Sequence, residues 1–307
     1  MLSQNTNTPA TNVYPIDSRF TSLIEDFKTL SESQIYYLMI GRYKAFRTET
    51  RIQFEDYCSR HPLWGSLDDE KEDYTVFDNR AKALNLHWVD FLRLYHSLGD
   101  YRSRHILFAF INNWYYFDLN SLNYAREQLF HEYFDMDVLR CDKNEVFVDI
   151  GASNGSDVMQ YIQTYGMSYK QIYCYETSSD NITELNKKIK KYKNISVWQK
   201  AVSDKSAPPG GDFPVETVTI DEDIKEPVTF IKIHTGGNEQ KVILGCAGHI
   251  KDDKPKLAVA VYHSSEDIWK IPRTIDEICE GYKFYLRYQG KSFYPTNLTL
   301  LAVHEGK

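Results

Sequence analysis

Residues Val146 to Asp157 read VFVDIGASNGSD, a short apolar run that ends in an aspartate and a glycine turn. This is the form needed where a buried strand hands over to a helix beside a ligand. Gly151 lets the chain turn sharply off the strand, and Gly155 permits close approach of a ligand and tight packing of the next helix. The helix start presents free N–H groups. Asp149 is placed to receive a ligand ammonium, with Gly151, Ala152, Ser153, Asn154 and Gly155 forming the loop around it. Glu176, followed by Thr177, ends a second apolar run 27 residues after Asp149. A carboxylate there can accept both hydroxyls of a ribose. Lys200-Ala201-Val202-Ser203-Asp204 follows a third run. Backbone groups of Ala201, Val202 and Ser203, with the Ser203 or Asp204 side chain, would meet an adenine. The glycine spacing is not GxGxxG, which argues against a nicotinamide enzyme.

Acid–base chemistry needs titratable side chains at carboxyl ends of strands, where sites form in α/β sheets. His234 ends a fourth apolar run, and Lys232 shares its face by the period of two. Tyr262 and His263 end a fifth, with Glu266 three residues on, close enough to fix a tautomer. His263 is expected to lie nearer than His234 to a reacting hydroxyl, with Lys232 and Tyr262 as the next candidates. Glu266, Asp267, His234 and His263 are the potential metal ligands. Their spacing is not diagnostic, and no metal is expected. Trp269, Tyr285, Tyr288 and Phe293 are aromatic enough to stack on a sugar, although such residues more often pack cores.

These residues must be carried by an alternating framework. The apolar runs Val146–Ile150, Ile172–Tyr175, Ile195–Trp198, Val228–Ile233 and Leu257–Tyr262 read as buried strands, and Tyr282–Tyr288 with Leu298–Val303 as a closing pair. Helical stretches fall near 155–165, 179–192, 238–249 and 272–280. Such alternation implies an α/β fold with a mostly parallel sheet and helices on both faces. Upstream, from Ser18 to Leu139, apolar residues recur at helical spacing, as in Phe20, Leu23, Ile24 and Phe27. Ser31 with Gln34 has the form of a capping box. Five to seven helices are expected. Three parts result: a mobile tail over 1–16, a helical region over 17–125 and a sheet domain over 126–307. Lys205 to Gly211 reads as turn chemistry.

Composition bounds the partners. Apolar residues are 42% and charged residues 26%, ordinary for a soluble globular chain of 307 residues. A formal charge of −7 offers no basic footprint for nucleic acid. No run of 18 apolar residues exists, so no membrane span is expected. The N-terminus lacks a basic segment followed by an apolar core, so no secretory signal is expected. The five cysteines, Cys58, Cys141, Cys174, Cys246 and Cys279, form no CxxC pair, which fits a reducing compartment such as the cytoplasm.

The segment from about Leu129 to His304 resembles the FkbM-type methyltransferase family. The matching stretches are Tyr133-Phe134-Asp135 before VFVDIGASNG, then YCYET, WQKAVSD, VETVTIDE, VTFIKI, KPKLAVAVYH, SEDIWKIP and YKFYLRYQG. The resemblance implies the Rossmann-like class I methyltransferase sheet of seven strands. It also implies S-adenosylmethionine as cofactor, its amino-acid end held by the Asp149–Gly155 turn, and O-methylation of a sugar or other small polar acceptor. The helical part in front looks like the lead-in of many bacterial members. One departure stands out. After the fourth strand the family reads Asp or His, x, Glu-Gly, whereas this chain has His234-Thr235-Gly236-Gly237, and the carboxylate is missing at Gly236. The loop from Asp204 to Val215 is also shorter. The alternative to an active enzyme is therefore a binding paralogue that keeps the cofactor fold with altered or no activity.

Overall fold

The computed structural model describes residues 15–210, 213–290 and 294–306. The expected mobile tail over 1–16 lies almost wholly outside the described residues, as does Phe293. Seven helices build the first part: α1 (Pro15–Thr29), α2 (Glu32–Lys44), α3 (Thr48–Ser59), α4 (Thr75–Leu86), α5 (Trp88–Ser97), α6 (Tyr101–Tyr116) and α7 (Leu119–Ala125), with a 3-10 turn at Pro62–Trp64. Each buries the stripe that its periodicity marks, for example Phe20, Leu23, Ile24 and Phe27 on α1. The capping box at the head of α2 is present, with the Ser31 hydroxyl accepting from the Gln34 N–H and the Gln34 side chain accepting from the Ser31 N–H.

The second part runs β1 (Val146–Ile150), α8 (Ser156–Tyr165), β2 (Gln171–Tyr175), α9 (Ser179–Ile189), β3 (Ile195–Trp198), β4 (Ala201–Val202), β5 (Thr217–Val218), α10 (Ile220–Asp223), β6 (Phe230–Ile233), α11 (Glu239–Gly245), α12 (Ala247–Asp252), β7 (Lys256–Ala260), α13 (Asp267–Ile278), β8 (Tyr282–Tyr288) and β9 (Leu298–His304). The seven-stranded sheet has the order β3-β2-β1-β6-β7-β9-β8. Strands β1, β2, β3, β6 and β7 pair in parallel, and β9 lies antiparallel to both β7 and β8. The seven strands read from the sequence are these seven. The two-residue pair β4–β5 forms a separate ribbon, too short to leave a run in the sequence. The helix expected near 272–280 begins five residues earlier, at Asp267, with Pro272 inside it.

Chain direction makes the sheet a site. From β1 the order runs outward through β2 and β3 on one side and through β6 and β7 on the other. A crevice therefore opens at the carboxyl ends of β1 and β6. One face of the sheet packs Phe147, Phe230, Tyr161, Leu185 and Phe134 beneath α8 and α9. The other packs Val148, Ile231, Leu257, Ile243 and Ile275 beneath α10 to α13, and that core continues into the helical region. The helical region also closes the open edge of the sheet. Gly99 N–H donates to Phe284 O at 2.8 Å, and Leu286 N–H donates to Ser103 Oγ at 2.9 Å. Arg287 of β8 reaches both Asp100, at 2.8 Å, and Asp135. Among the described residues no helix is long and apolar enough to cross a membrane. All five cysteines are free.

Candidate active site

Two glycines shape the floor of the crevice. Gly151 has φ +77°, and a Cβ there would stand 1.9 Å from the carbonyl oxygen of His234. Gly155 has φ +80° and packs against Leu185, where a Cβ would meet Cγ at 3.0 Å. Gly151 N–H and Ala152 N–H both donate to Tyr175 O at 3.0 Å, and His234 N–H donates to Ile150 O. The ends of β1, β2 and β6 are thereby locked to one another.

Above them lies a cavity of about 450 Å³, lined by Ile150, Gly151, Ser153, Glu176, Thr177, Ala201, Val202 and His234 among others. Glu176 is buried at the β2 end. Its Oε2 accepts from Ser153 N–H at 2.7 Å, and its Oε1 accepts from Thr177 and Ser178 N–H at 2.8 Å. Oε2, with one donor, keeps lone-pair capacity for a ligand. One part of the wall is made by Lys200, Ala201, Val202 and Phe213. Ser203 does not belong to that wall, because it is buried and its hydroxyl turns to Asp204 Oδ1 at 3.2 Å. Ala152, Asn154 and Gly155 shape the turn without lining the cavity. Asn154 Oδ1 accepts from Lys188 Nζ at 2.9 Å, on the outer side.

Asp149 does not face the cavity either. Its carboxylate is fully buried, and Oδ1 lies 2.9 Å from Lys232 Nζ. Lys232 also reaches Asp157 Oδ2 at 2.7 Å and Gly151 O at 3.0 Å. The ammonium expected at Asp149 is thus the protein's own. Burial alone would lower the Lys232 ammonium, but Asp149 and Asp157 hold it above its ordinary value. Burial raises the Asp149 carboxyl, and Lys232 opposes that rise. Lys232 consequently stays charged and without access to solvent, which removes it as a base. Its remaining effect is to tie β1, β6 and the start of α8 together.

His234 lines the cavity with its ring between two phenols. Its Nδ1 lies 2.8 Å from Tyr133 Oη, and its Nε2 lies 3.2 Å from Tyr262 Oη. Burial pushes the imidazole down to about 4, helped by the positive charge of Lys232 and by His263. The ring is therefore neutral at physiological pH. His263 sits one layer back. Its ring centroid is 5.2 Å from that of His234, and its Nδ1 lies 3.2 Å from Glu239 Oε1. The carboxylate beside His263 is thus Glu239 and not Glu266, which is exposed and pairs with Lys270 at 2.7 Å. Burial would raise Glu239, but His263 and the Thr235 N–H hold it down at about 2. Gly236 has φ +72° and open space around it. Glu239 binds the same loop, accepting from Thr235 N–H at 2.7 Å and Gly237 N–H at 2.9 Å.

Several residues of the cavity escape a reading by motif. Glu132, Tyr133, Ser156, Asp157, Asn181, Phe213 and Asn238 all line it. Among the described residues Glu132 Oε1 is a buried acceptor with no hydrogen-bond partner, while its Oε2 accepts from Asn297 Nδ2 at 3.3 Å, and burial raises the carboxyl. The signal for Tyr133 was its position in the link before β1, but nothing local foretells that its ring reaches His234. Among the described residues the aromatic wall does not form. Trp269 stacks on His87 at 3.7 Å, Tyr285 abuts Gly99, and Tyr288 packs in the core against Phe110. Among the described residues none of the helical region lines the cavity; Leu63 stands against Gly237, and Trp64 Nε1–H donates to Tyr262 O at 2.7 Å.

The sheet order and the glycine turn beside an acidic second strand define the class I methyltransferase fold. The fold is similar to that of the FkbM methyltransferase from Methylobacillus flagellatus KT. The two superpose with a TM-score of 0.66 at 24% identity, over 76% of this chain and 62% of that one. This chain thus matches less than two thirds of the length of that protein. More distant likenesses include an rRNA methylase from Streptococcus thermophilus (TM-score 0.40, 12% identity, 55% of this chain and 90% of that one). A putative methyltransferase from Streptococcus mutans in complex with SAH is another (TM-score 0.39, 16% identity, 55% and 91%). No family model matches the sequence, and no curated protein matches it.

Proposed function

We propose that this protein is an S-adenosylmethionine-dependent O-methyltransferase acting on a hydroxyl of a sugar or other small polar acceptor in the cytoplasm. The observation that carries the reading is one cavity with the Glu176 carboxylate at one end and the neutral His234 imidazole at the other. The residues present fit the cofactor. Glu176 would hold the ribose hydroxyls, and Lys200, Ala201, Val202 and Phe213 would enclose the adenine. Glu132, whose buried Oε1 lacks a donor, and Asp157 would take the ammonium in place of Asp149. When bound, the cofactor supplies an electrophilic methyl group.

The chain's own part is alignment and proton removal. A neutral imidazole carries one N–H and one lone pair, so of Tyr133 and Tyr262 one accepts from His234 and the other donates to it. The Tyr262 contact, at 3.2 Å, is the longer. An acceptor hydroxyl entering on that side would replace Tyr262 at Nε2 and give up its proton to that nitrogen. Tyr133, bonded to Nδ1, would hold the ring in the matching tautomer. His263, backed by Glu239, would steady the ring from behind.

Calorimetry with S-adenosylhomocysteine, followed by turnover of S-adenosylmethionine across a panel of polyhydroxylated acceptors, tests this. Micromolar binding and release of S-adenosylhomocysteine with an acceptor support the reading. Binding without turnover on any acceptor would favour the non-catalytic alternative raised by Gly236. Absence of binding would reject both.

A further inference from the structure

The structure assigns a divalent-metal site to Glu239, His263 and Asp267, a cluster that the methyl-transfer reading does not use as such. The three come from different elements: the first residue of α11, the loop after β7 and the first residue of α13. One ligand atom from each lies within 4.8 Å of the other two. Glu239 and Asp267 are buried, and His263 keeps about an eighth of its side chain exposed, at 12%.

Two features separate this cluster from an ordinary ion pair. The His263 Nδ1 atom is buried and makes no hydrogen bond among the described residues, although Glu239 Oε1 is 3.2 Å away. A His263 ring nitrogen lies within 4.8 Å of an oxygen of each carboxylate. Glu239 and Asp267 are both buried, and a ligand oxygen of each lies within 4.8 Å of the other. Two buried carboxylates thus face each other across an imidazole. A dication between them would remove their repulsion and occupy the nitrogen.

The carboxylates are also oriented as metal ligands are. Glu239 is held by the Thr235 and Gly237 N–H groups. Asp267 accepts from Ser264 N–H at 2.7 Å through Oδ2 and from Gln240 Nε2 at 2.7 Å through Oδ1. Such outer bonds fix ligand geometry while leaving lone pairs for the ion. One nitrogen and two carboxylate oxygens suit a borderline cation, Zn²⁺ or Mn²⁺, with water completing its coordination. Ser264, Ser265 and Glu266, which link two of the ligands, line a neighbouring cavity of about 360 Å³.

The test uses the full chain, stripped with EDTA and titrated calorimetrically with ZnCl₂ and, separately, MnCl₂ at pH 7.5, with melting curves alongside. One equivalent of at least one cation is expected, with a rise in Tm by mass action. Asp267→Asn and His263→Ala should each weaken binding by about tenfold or more, whereas His249→Ala, a histidine bonded to Asp253 elsewhere, should not. Lack of binding by the wild-type chain up to millimolar metal would overturn the assignment. So would unchanged affinity in Asp267→Asn, the near-isosteric variant that keeps its acceptor oxygen. These readouts do not depend on methyl transfer, so their failure would leave that reading standing.

Discussion

Lys232→Met is the most informative single change, because it removes one charge from the hinge of the fold and leaves its partner behind. Asp149 is fully buried beside the Lys232 ammonium. Methionine retains the length and apolar body of the side chain, so the loss is chiefly electrostatic. A carboxylate without water or counter-ion is pushed up by about 3–5 pH units, and each unit is worth about 1.4 kcal/mol. Removing one partner of a buried pair costs about 3–5 kcal/mol, which matches the lower part of that range. The loss carries a pH signature. The unfolded chain releases the Asp149 proton near 3.9, whereas the folded variant keeps it to roughly pH 7. Between those values the unfolded state binds fewer protons than the native one, so stability falls as pH rises and recovers as pH falls toward the unfolded value. Urea titrations at pH 8 and pH 5 should therefore give a deficit of about 3–5 kcal/mol in the first and a smaller one in the second. Adding Asp149→Asn should restore much of it. A deficit below about 1 kcal/mol at pH 8, or one of equal size at both pH values, would refute the burial argument.

Four further outcomes follow from the site. His234→Ala should lower turnover by about 100- to 10,000-fold while S-adenosylhomocysteine affinity, read by calorimetry, stays close to wild type. Because burial holds His234 at about 4, the imidazole remains unprotonated above that value. The acid limb of the wild-type kcat/KM profile should then appear near pH 4 rather than near the ordinary 6.5. Glu176→Gln should cost S-adenosylhomocysteine binding about 1–3 kcal/mol, the worth of charge-assisted hydrogen bonds, measured by the same titration. Gly151→Ala places a methyl 1.9 Å from His234 O at φ +77°, so a lower Tm and lost cofactor binding are expected together.

The framework was legible wherever one residue type answers to one local demand. Gly151 and Gly155 mark the turn because only glycine tolerates that φ at such close quarters, and β1 is buried along its whole length. Glu176 was legible for the same reason, as a lone carboxylate closing an apolar run. Long-range electrostatics were not. Asp149 has the position of a ligand-binding acid, yet Lys232, two residues before His234, arrives from a strand 83 residues later and claims it. Glu239 was passed over because it begins a helix, where an acid is unremarkable, whereas its real company is His263 on another strand end. Tyr133 and Glu132 sit in an irregular link with no period to read, and only the packed chain brings them to the cavity.

The closure of the β8 edge by the first helices bears on how the chain is made. The residues that dock there, Gly99, Asp100 and Ser103, leave the ribosome long before Phe284, Leu286 and Arg287, which are 183 to 187 positions downstream. The early helices must therefore wait, part of their apolar surface uncovered, until nearly the last strand is synthesised. Contacts of such sequence separation form slowly because a long loop must close first. Nascent chains stalled before β8 would expose both an apolar helix face and an unfinished sheet, the condition that chaperones recognise. Arg287, anchored to Asp100 from the first part and Asp135 from the link, would act as the latch that ends this waiting period.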